Sequence, residues 1–228
     1  MIKIKVVCAF LLTTALLVFL KGDTIFASSK EIAFVLKVKG KAEVMPAKQD
    51  WKPLRRGRRL NSGDKVRTGN ESLVAVVFTD DRSMMKIRSE SEVSFYGERK
   101  KRGIAKRISM NIGQMWAKVN PRGAGFRLET PSGVAAVKGT EFYGFIDEFG
   151  QTTIIGIEGL VELFNQLGSV LVGQGQTGIL KKNAKPGVEK TKSFEDWAKL
   201  DDSESQLEIE FENEEGVKKR MKIRFKEK

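Results

Sequence analysis

The residues with the most evident chemical potential are two clusters of cations. One is Arg55-Arg56-Gly57-Arg58-Arg59, and the other is Arg99-Lys100-Lys101-Arg102, extended by Lys106 and Arg107. Side chains of this kind at this density attract phosphate groups or anionic glycans, strongly so at low salt. The plainer reading is a pair of solvated basic loops that keep the chain soluble. Three aspartates, Asp64 and the pair Asp80-Asp81, could be imagined around a calcium ion. They lack the alternating ligands and the glycine of an EF-hand loop, and turn-forming aspartates account for them more simply. The stretch Gly173-Gln174-Gly175-Gln176-Thr177-Gly178 matches G-x-G-x-x-G after an apolar strand. A dinucleotide fingerprint must open a helix that faces the pyrophosphate. Here Ile179-Leu180 runs into a polar stretch with Pro186 and Gly187, so a glycine-rich turn is the better reading.

The inventory excludes more than it offers. There is no histidine, and the single cysteine, Cys8, lies in the N-terminal apolar run. Cys/His zinc sites, Ser-His-Asp triads and Cys-His dyads therefore drop out, and a chain starting after that run can form no disulfide. Carboxylate pairs of the glycosidase kind meet through space, and nothing in the sequence singles out two. Trp51, Trp116 and Trp197 have no ladder spacing and read as core or edge residues. No catalytic residue, cofactor or metal ligand is expected.

The N-terminus explains where such a chain would work. Lys3 and Lys5 precede an unbroken apolar run from Val6 to Leu20, 15 residues long, and Ala27 offers a small residue before Ser28. That run is shorter than the roughly 20 residues of a spanning helix. It reads as a signal peptide over residues 1–27, cleaved after Ala27, in a periplasmic or secreted protein. The alternative is an uncleaved N-terminal segment, the one route by which this chain would meet a membrane. The formal charge of +12 is concentrated in the first half: residues 30–130 carry 24 basic and 11 acidic residues, a net of +13. An exported basic chain meets anionic envelope polymer and envelope proteins; nucleic acid is a poor fit for that compartment.

The elements that must position these residues are short strands. From Ala33 onward, alternating or fully apolar runs of four to seven residues are punctuated by turn chemistry every 8 to 12 residues, which points to an all-β sandwich or barrel. Ala33–Lys39, Gly40 and Lys41–Val44 read as a hairpin-like signal, and Leu73–Phe78 as a strand buried on both faces. The segment Glu98–Arg107 reads as a second basic loop. The central stretch Phe126–Phe142 starts as a strand and is broken by Thr130-Pro131-Ser132-Gly133. It resumes as Val134–Val137, apolar enough to be buried on both sides, breaks again at Lys138-Gly139-Thr140, and enters a third strand at Glu141. Proline and glycine at those breaks shape the backbone. Residues 181–192, almost without apolar content, read as a linker. Ser193–Leu200 fits a short amphipathic helix with Ser193 as N-cap. Leu207–Glu212 and Arg220–Lys226 alternate as a charged amphipathic hairpin. Its expected register sets Phe211 against Met221, Ile209 against Ile223 and Leu207 against Phe225.

Several of these residues together resemble a known family. The spacing Trp51-x-Pro53-Leu54-x-x-Gly57-x-x-Leu60-x-x-Gly63-Asp64-x-Val66-x-Thr68-Gly69 resembles the opening of the FecR domain. The run Thr130-Pro131-x-x-x-Ala135-x-Val137-x-Gly139-Thr140-x-Phe142 resembles its central motif, with Lys138 where arginine is usual. Glu158-Gly159-x-Val161 and Gly173-Gln174 resemble its closing turns. The likeness extends over residues 32–180 and implies an antiparallel, all-β, jelly-roll-like module outside the cytoplasmic membrane. The short helix and hairpin of residues 193–228 would follow it. In the best-known members the domain stands behind a cytoplasmic anti-sigma segment and relays a ferric-siderophore signal from an outer-membrane receptor. Here only Met1–Lys5 precede the apolar run, so that segment is not expected. What carries over is a non-enzymatic exported binding module, with Thr130, Pro131, Gly139, Thr140 and Phe142 as structural motif residues. Its expected partner is an envelope protein. The alternative is an anionic envelope polysaccharide or peptidoglycan, held by Arg55, Arg56, Arg58, Arg59, Arg99, Lys100, Lys101 and Arg102.

Overall fold

A computed structural model describes residues 31–200 and the strand segments 206–212 and 218–224. The expected signal peptide lies outside the described residues. The described residues are nearly all β, with one short helix, and seventeen of their strands join in one continuous ladder. The ladder folds into two layers. One contains β1 (Glu31–Lys39), β4 (Arg59–Asn61), β6 (Leu73–Phe78), β7 (Met84–Ile87), β12 (Glu141–Ile146), β13 (Thr152–Glu158), β16 (Gln176–Leu180) and β17 (Gly187–Lys190). The other contains β2 (Ala42–Met45), β3 (Lys52–Pro53), β5 (Lys65–Thr68), β8 (Glu92–Lys100), β10 (Phe126–Thr130), β11 (Gly133–Val137), β14 (Val161–Asn165) and β15 (Gly168–Val172). The long strand β9 (Gly103–Lys118) belongs to both. Its first half pairs with β8 and, in parallel, with β10, and its second half pairs with β7 and β12. That parallel pair is the departure from an antiparallel sandwich.

Between the layers lies one contiguous apolar core. Phe126 of β10 reaches across to Phe78 and Phe142 of the first layer, edge-on at 6.1 and 6.3 Å between ring centroids, the geometry favoured by the ring quadrupoles. β6, central between β1 and β7, is buried on both faces as its unbroken apolar run requires. β11 is not: Ala135 and Val137 are buried while Val134 and Ala136 are half-buried, because only one face of its layer meets the core.

The turn signals mark corners as often as hairpins. β1 and β2 do not pair with each other; the chain passes from one layer to the other at Gly40, with φ of 71°. The same crossing occurs at Gly69 between β5 and β6, at Gly139 between β11 and β12, and at Gly159 between β13 and β14. β9 makes its crossing without a break. An irregular register near Met110–Ile112 and Gly113, with φ of 116°, switch which side chains face inward, from Ile104, Ile108 and Met110 to Met115 and Ala117. A Cβ on Gly113 would stand 2.1 Å from Ser91 Oγ.

Three further expectations are corrected. Within the expected linker, Gly187–Lys190 adds β17 to the outer edge of β16, all four residues exposed. An edge strand needs no apolar content when its backbone finds a partner. The helix α1 is confined to Trp197–Leu200, so Ser193 is not its N-cap. The C-terminal strands β18 (Gln206–Glu212) and β19 (Lys218–Arg224) pair two residues out of the expected register, with Ile209 opposite Met221 and Leu207 opposite Ile223. Strict alternation has a period of two, so it does not choose between registers two residues apart. The expected place of Phe225 lies outside the described residues.

Candidate functional site

The recognisable motif residues are corner pieces. Thr130 and Gly133 close the β10–β11 hairpin around Pro131-Ser132, and Thr130 Oγ1 donates to the Gly133 carbonyl at 3.0 Å. This turn forms one wall of an open groove of about 860 Å³, opposite Phe164, Leu167 and Lys182. Gly139 turns the chain between layers with φ of 70°, and the next corner stacks on it. A Cβ on Gly159 would lie 2.6 Å from the Gly139 carbonyl oxygen and 2.9 Å from the Thr140 methyl. Phe142 is fully buried in the core. Asp64 caps its own turn by accepting the Asn61 N–H at 3.0 Å.

The basic clusters occupy two exposed projections. Arg55 to Arg58 form a loop that leads into β4, and Arg59 lies on that strand beside Glu31 at 2.6 Å. The expected loop Glu98–Arg107 is instead the end of the β8–β9 hairpin, with only Lys101 and Arg102 in the turn. Ser62 Oγ accepts the Gly97 N–H at 3.0 Å. Arg59 and Arg99 stand three and two residues from that bond, which puts the clusters within about 25 Å of each other. Arg55, Arg56, Arg58, Arg59, Arg99, Lys100, Lys101 and Arg102 are all exposed. Several charges are partly balanced: Lys100 pairs with Glu98, and Arg107 pairs with Glu129 at 3.0 Å while lying 4.0 Å over the Tyr96 ring.

Lys106 leaves this group altogether. In the strand it shares the inward face with Ile104 and Ile108, and its residue is 2% exposed. Its Nζ sits 2.9 Å from Asp80 and 2.7 Å from Asp81 and donates to the Ile104 carbonyl at 3.1 Å. Those two carboxylates also accept the N–H groups of Ile104 and Ser83. The Asp80-Asp81 pair thus holds an ammonium of the chain itself, and Asp64 takes no part. Among the described residues no group of acidic, histidine or cysteine side chains is arranged to hold a metal ion.

A second face was not visible in the sequence. On the outer side of the first layer, directly opposed residues form a row across the strands: Ala75, Lys86, Trp116, Tyr143 and Ile155. All but Lys86 belong to an apolar cluster separate from the core, together with Leu73 and the half-buried Phe145. Its cover is the segment around α1. Trp197 and Ala198 are buried on it, and Phe194 is half-buried. The Tyr143 ring lies 5.3 Å from Phe194 and 5.5 Å from Trp197. Full burial of a large apolar side chain is worth about 1.5–3 kcal/mol, so the row needs a cover, and Trp197 and Ala198 are its buried part.

Polar contacts fix the segment's position. Lys86 Nζ donates to the Ala198 carbonyl at 2.5 Å and lies 5.3 Å over the Trp116 ring. Arg88 pairs with Glu195 at 3.0 Å and lies 5.5 Å over the Trp197 ring. The Tyr143 hydroxyl donates to Asp196, which also meets Lys199 at 3.1 Å. Burial, then the negative Asp196 beside it, pushes the Tyr143 phenol well above its ordinary value of 10.0. Burial works against the Asp196 charge, but hydrogen bonds from Tyr143 and Lys199 outweigh it and hold the carboxyl below its ordinary 3.8. Trp116 Nε1 donates to Glu141, which Lys118 also meets at 3.0 Å. Trp197 Nε1, in contrast, is buried with no acceptor among the described residues.

No described helix is long and apolar enough to cross a membrane. No curated protein matches the sequence. A crystal structure described as that of a candidate anti-sigma factor from Parabacteroides distasonis aligns with a TM-score of 0.51 at 14% identity, covering 60% of this chain and 64% of that one. The chain thus spans less than two thirds of that relative, and at this identity the likeness speaks for the fold alone. A second structure of the same description and organism aligns over 54% of each chain at 14% identity, with a TM-score of 0.36, too low to bear on the fold. A family model described as FecR protein matches residues 64–162, from the capped turn at Asp64 through the central corner to Glu162 on the strand after Gly159.

Proposed function

We propose that the chain is an exported, non-enzymatic sensing or signalling module that works by binding another envelope protein. The FecR domain carries this reading. Its motif residues turn and stack strands and perform no chemistry, so function falls to the surfaces those corners present. The leader-like residues 1–27 supply the route out of the cytoplasm, and a regulatory role accords with the description of the fold neighbour as a candidate anti-sigma factor. The test is cross-linking in the native host, followed by mass spectrometry of what the tagged chain captures. One dominant envelope protein is the expected result; capture of cytoplasmic proteins alone would overturn export and the reading with it.

The exposed cations of the Arg55–Arg59 loop and the β8–β9 tip favour a second reading, an anionic envelope polymer as ligand. Counterion release makes such binding fall steeply with salt. Retention on peptidoglycan or anionic glycan should collapse between 50 and 500 mM salt, and equal retention at both would remove this reading.

A further inference from the structure

We infer that the outer face formed by Trp116, Tyr143, Ile155, Lys86 and Arg88 is a binding site for a short peptide with two aromatic residues flanking acidic ones. The chain's own residues 193–200 fill it in cis, and a protein partner presenting a segment of the same chemistry displaces them. This identifies a site and a ligand class for the binding reading above without requiring the FecR motif surfaces.

Four observations carry the inference. The face carries chemistry of a recognisable kind: a row of rings and aliphatic side chains with two cations, Lys86 over the Trp116 ring of the row and Arg88 over the ring of the docked Trp197. The occupant matches it group by group. Phe194 and Trp197 meet the Tyr143 ring, Glu195 meets Arg88, and Asp196 accepts the Tyr143 hydroxyl. None of residues 193–200 takes part in a strand ladder, so the segment is held as a docked peptide is, through its side chains and the backbone of Ala198. Finally, the fit is incomplete. Trp197 is 4% exposed, its indole N–H is buried and meets no acceptor among the described residues, and an unmet buried donor weakens the complex that contains it. A ligand that offers an acceptor at that point outcompetes the internal segment despite the advantage of its tether.

That tether sets the scale of the test. A segment joined by a short linker competes at an effective concentration on the order of millimolar, so added peptide should bind the full chain weakly until the internal copy is disabled. The probe is a fluorescent octapeptide of sequence SFEDWAKL, read by anisotropy against the full chain and against its Phe194→Ala/Trp197→Ala variant. Binding at least about tenfold tighter to the variant is expected, together with a tenfold loss when Arg88→Glu is added. Equal binding to both chains, no binding to a variant that melts cooperatively, or equal binding of a peptide of scrambled order would each overturn the inference. Should the double variant fail to fold, hydrogen exchange of the wild type decides. Amides of residues 193–200 should exchange at least a hundredfold faster than those of β12. Exchange at the same rate would show that the segment opens only with the whole domain and would overturn the proposal.

Discussion

The molecule buries two lysines in opposite ways. Lys106 lies within the fold, its ammonium between Asp80 and Asp81, both in the turn that joins β6 to β7. Lys86 lies on the outer face, its ammonium against a carbonyl 112 residues later in the chain. The first site is closed by the sandwich itself: β9 cannot pair with β8 without carrying Lys106 inward. The second is closed by a short segment that follows the last strand of the layer. Permanence follows from who supplies the partner. A partner set by strand register is present whenever the domain is folded, and one set by a docked segment is present only while the segment stays down.

The largest expected effect separates the two. Lys106→Met leaves two neighbouring carboxylates in a nearly water-free site with no cation, and breaking a buried ion pair in this way costs about 3–5 kcal/mol. Urea denaturation should show that loss as a lower midpoint with an unchanged slope. Lys106→Met combined with Asp80→Asn and Asp81→Asn should recover most of it, because the uncompensated charge is gone. A cost under about 1 kcal/mol for the single variant would make the triad incidental.

Gly113→Ala comes next. Its φ of 116° and the 2.1 Å approach to Ser91 Oγ leave no place for a methyl group. Strain of this kind costs about 1–3 kcal/mol, and the same urea titration measures it. It should fall on the fold and leave the docking of Trp197 unchanged, as seen in tryptophan emission at low denaturant.

Trp197→Ala sharpens the comparison from the other side. A core tryptophan cut to alanine costs about 3–5 kcal/mol. Here the segment can leave instead of holding a cavity open, so the global cost should stay near 1–2 kcal/mol, the burial gain less the conformational entropy of ordering a few residues. A loss as large as that of Lys106→Met would place the segment inside the cooperative unit.

The sequence revealed periods and breaks and concealed what the breaks do. The strands of the central stretch and the both-face burial of Leu73–Phe78 follow from local residue types, and the structure has them; the FecR spacing is met by a family match over residues 64–162. Gly40, Gly69, Gly139 and Gly159 were legible as turns, but a glycine that closes a hairpin and one that carries the chain between layers have the same local chemistry. Lys106 belongs to a visibly basic run, and only period-2 counting from Ile104 and Ile108 would have turned it inward. Trp116 and Tyr143 were less accessible still. Their strands are apolar on both faces, which announces a cover without saying that residues 193–200 provide it. The expected amphipathic helix Ser193–Leu200, bearing two rings and two acids, was the available hint.

The smallest expected effect tests the polar latch of that cover. Asp196 has a folded pKa below its ordinary 3.8, so its contribution to docking is present above that value and is lost as pH falls through the folded one. Tyr143 runs the other way: its folded pKa lies above 10.0, so its contribution is whole below pH 10 and declines as pH rises beyond it. Absorbance at 295 nm should show the Tyr143 phenol silent near pH 10 in the wild type. In the Phe194→Ala/Trp197→Ala variant, where the face opens to water, it should ionise there. On the acid side, Asp196→Asn should flatten the loss of Trp197 burial below pH 4 by a few tenths of a kcal/mol, the scale of an exposed-edge interaction. If the phenol ionises near pH 10 in both chains, the hydroxyl is not held by the segment, and the contrast between a permanent and a conditional lysine loses its second half.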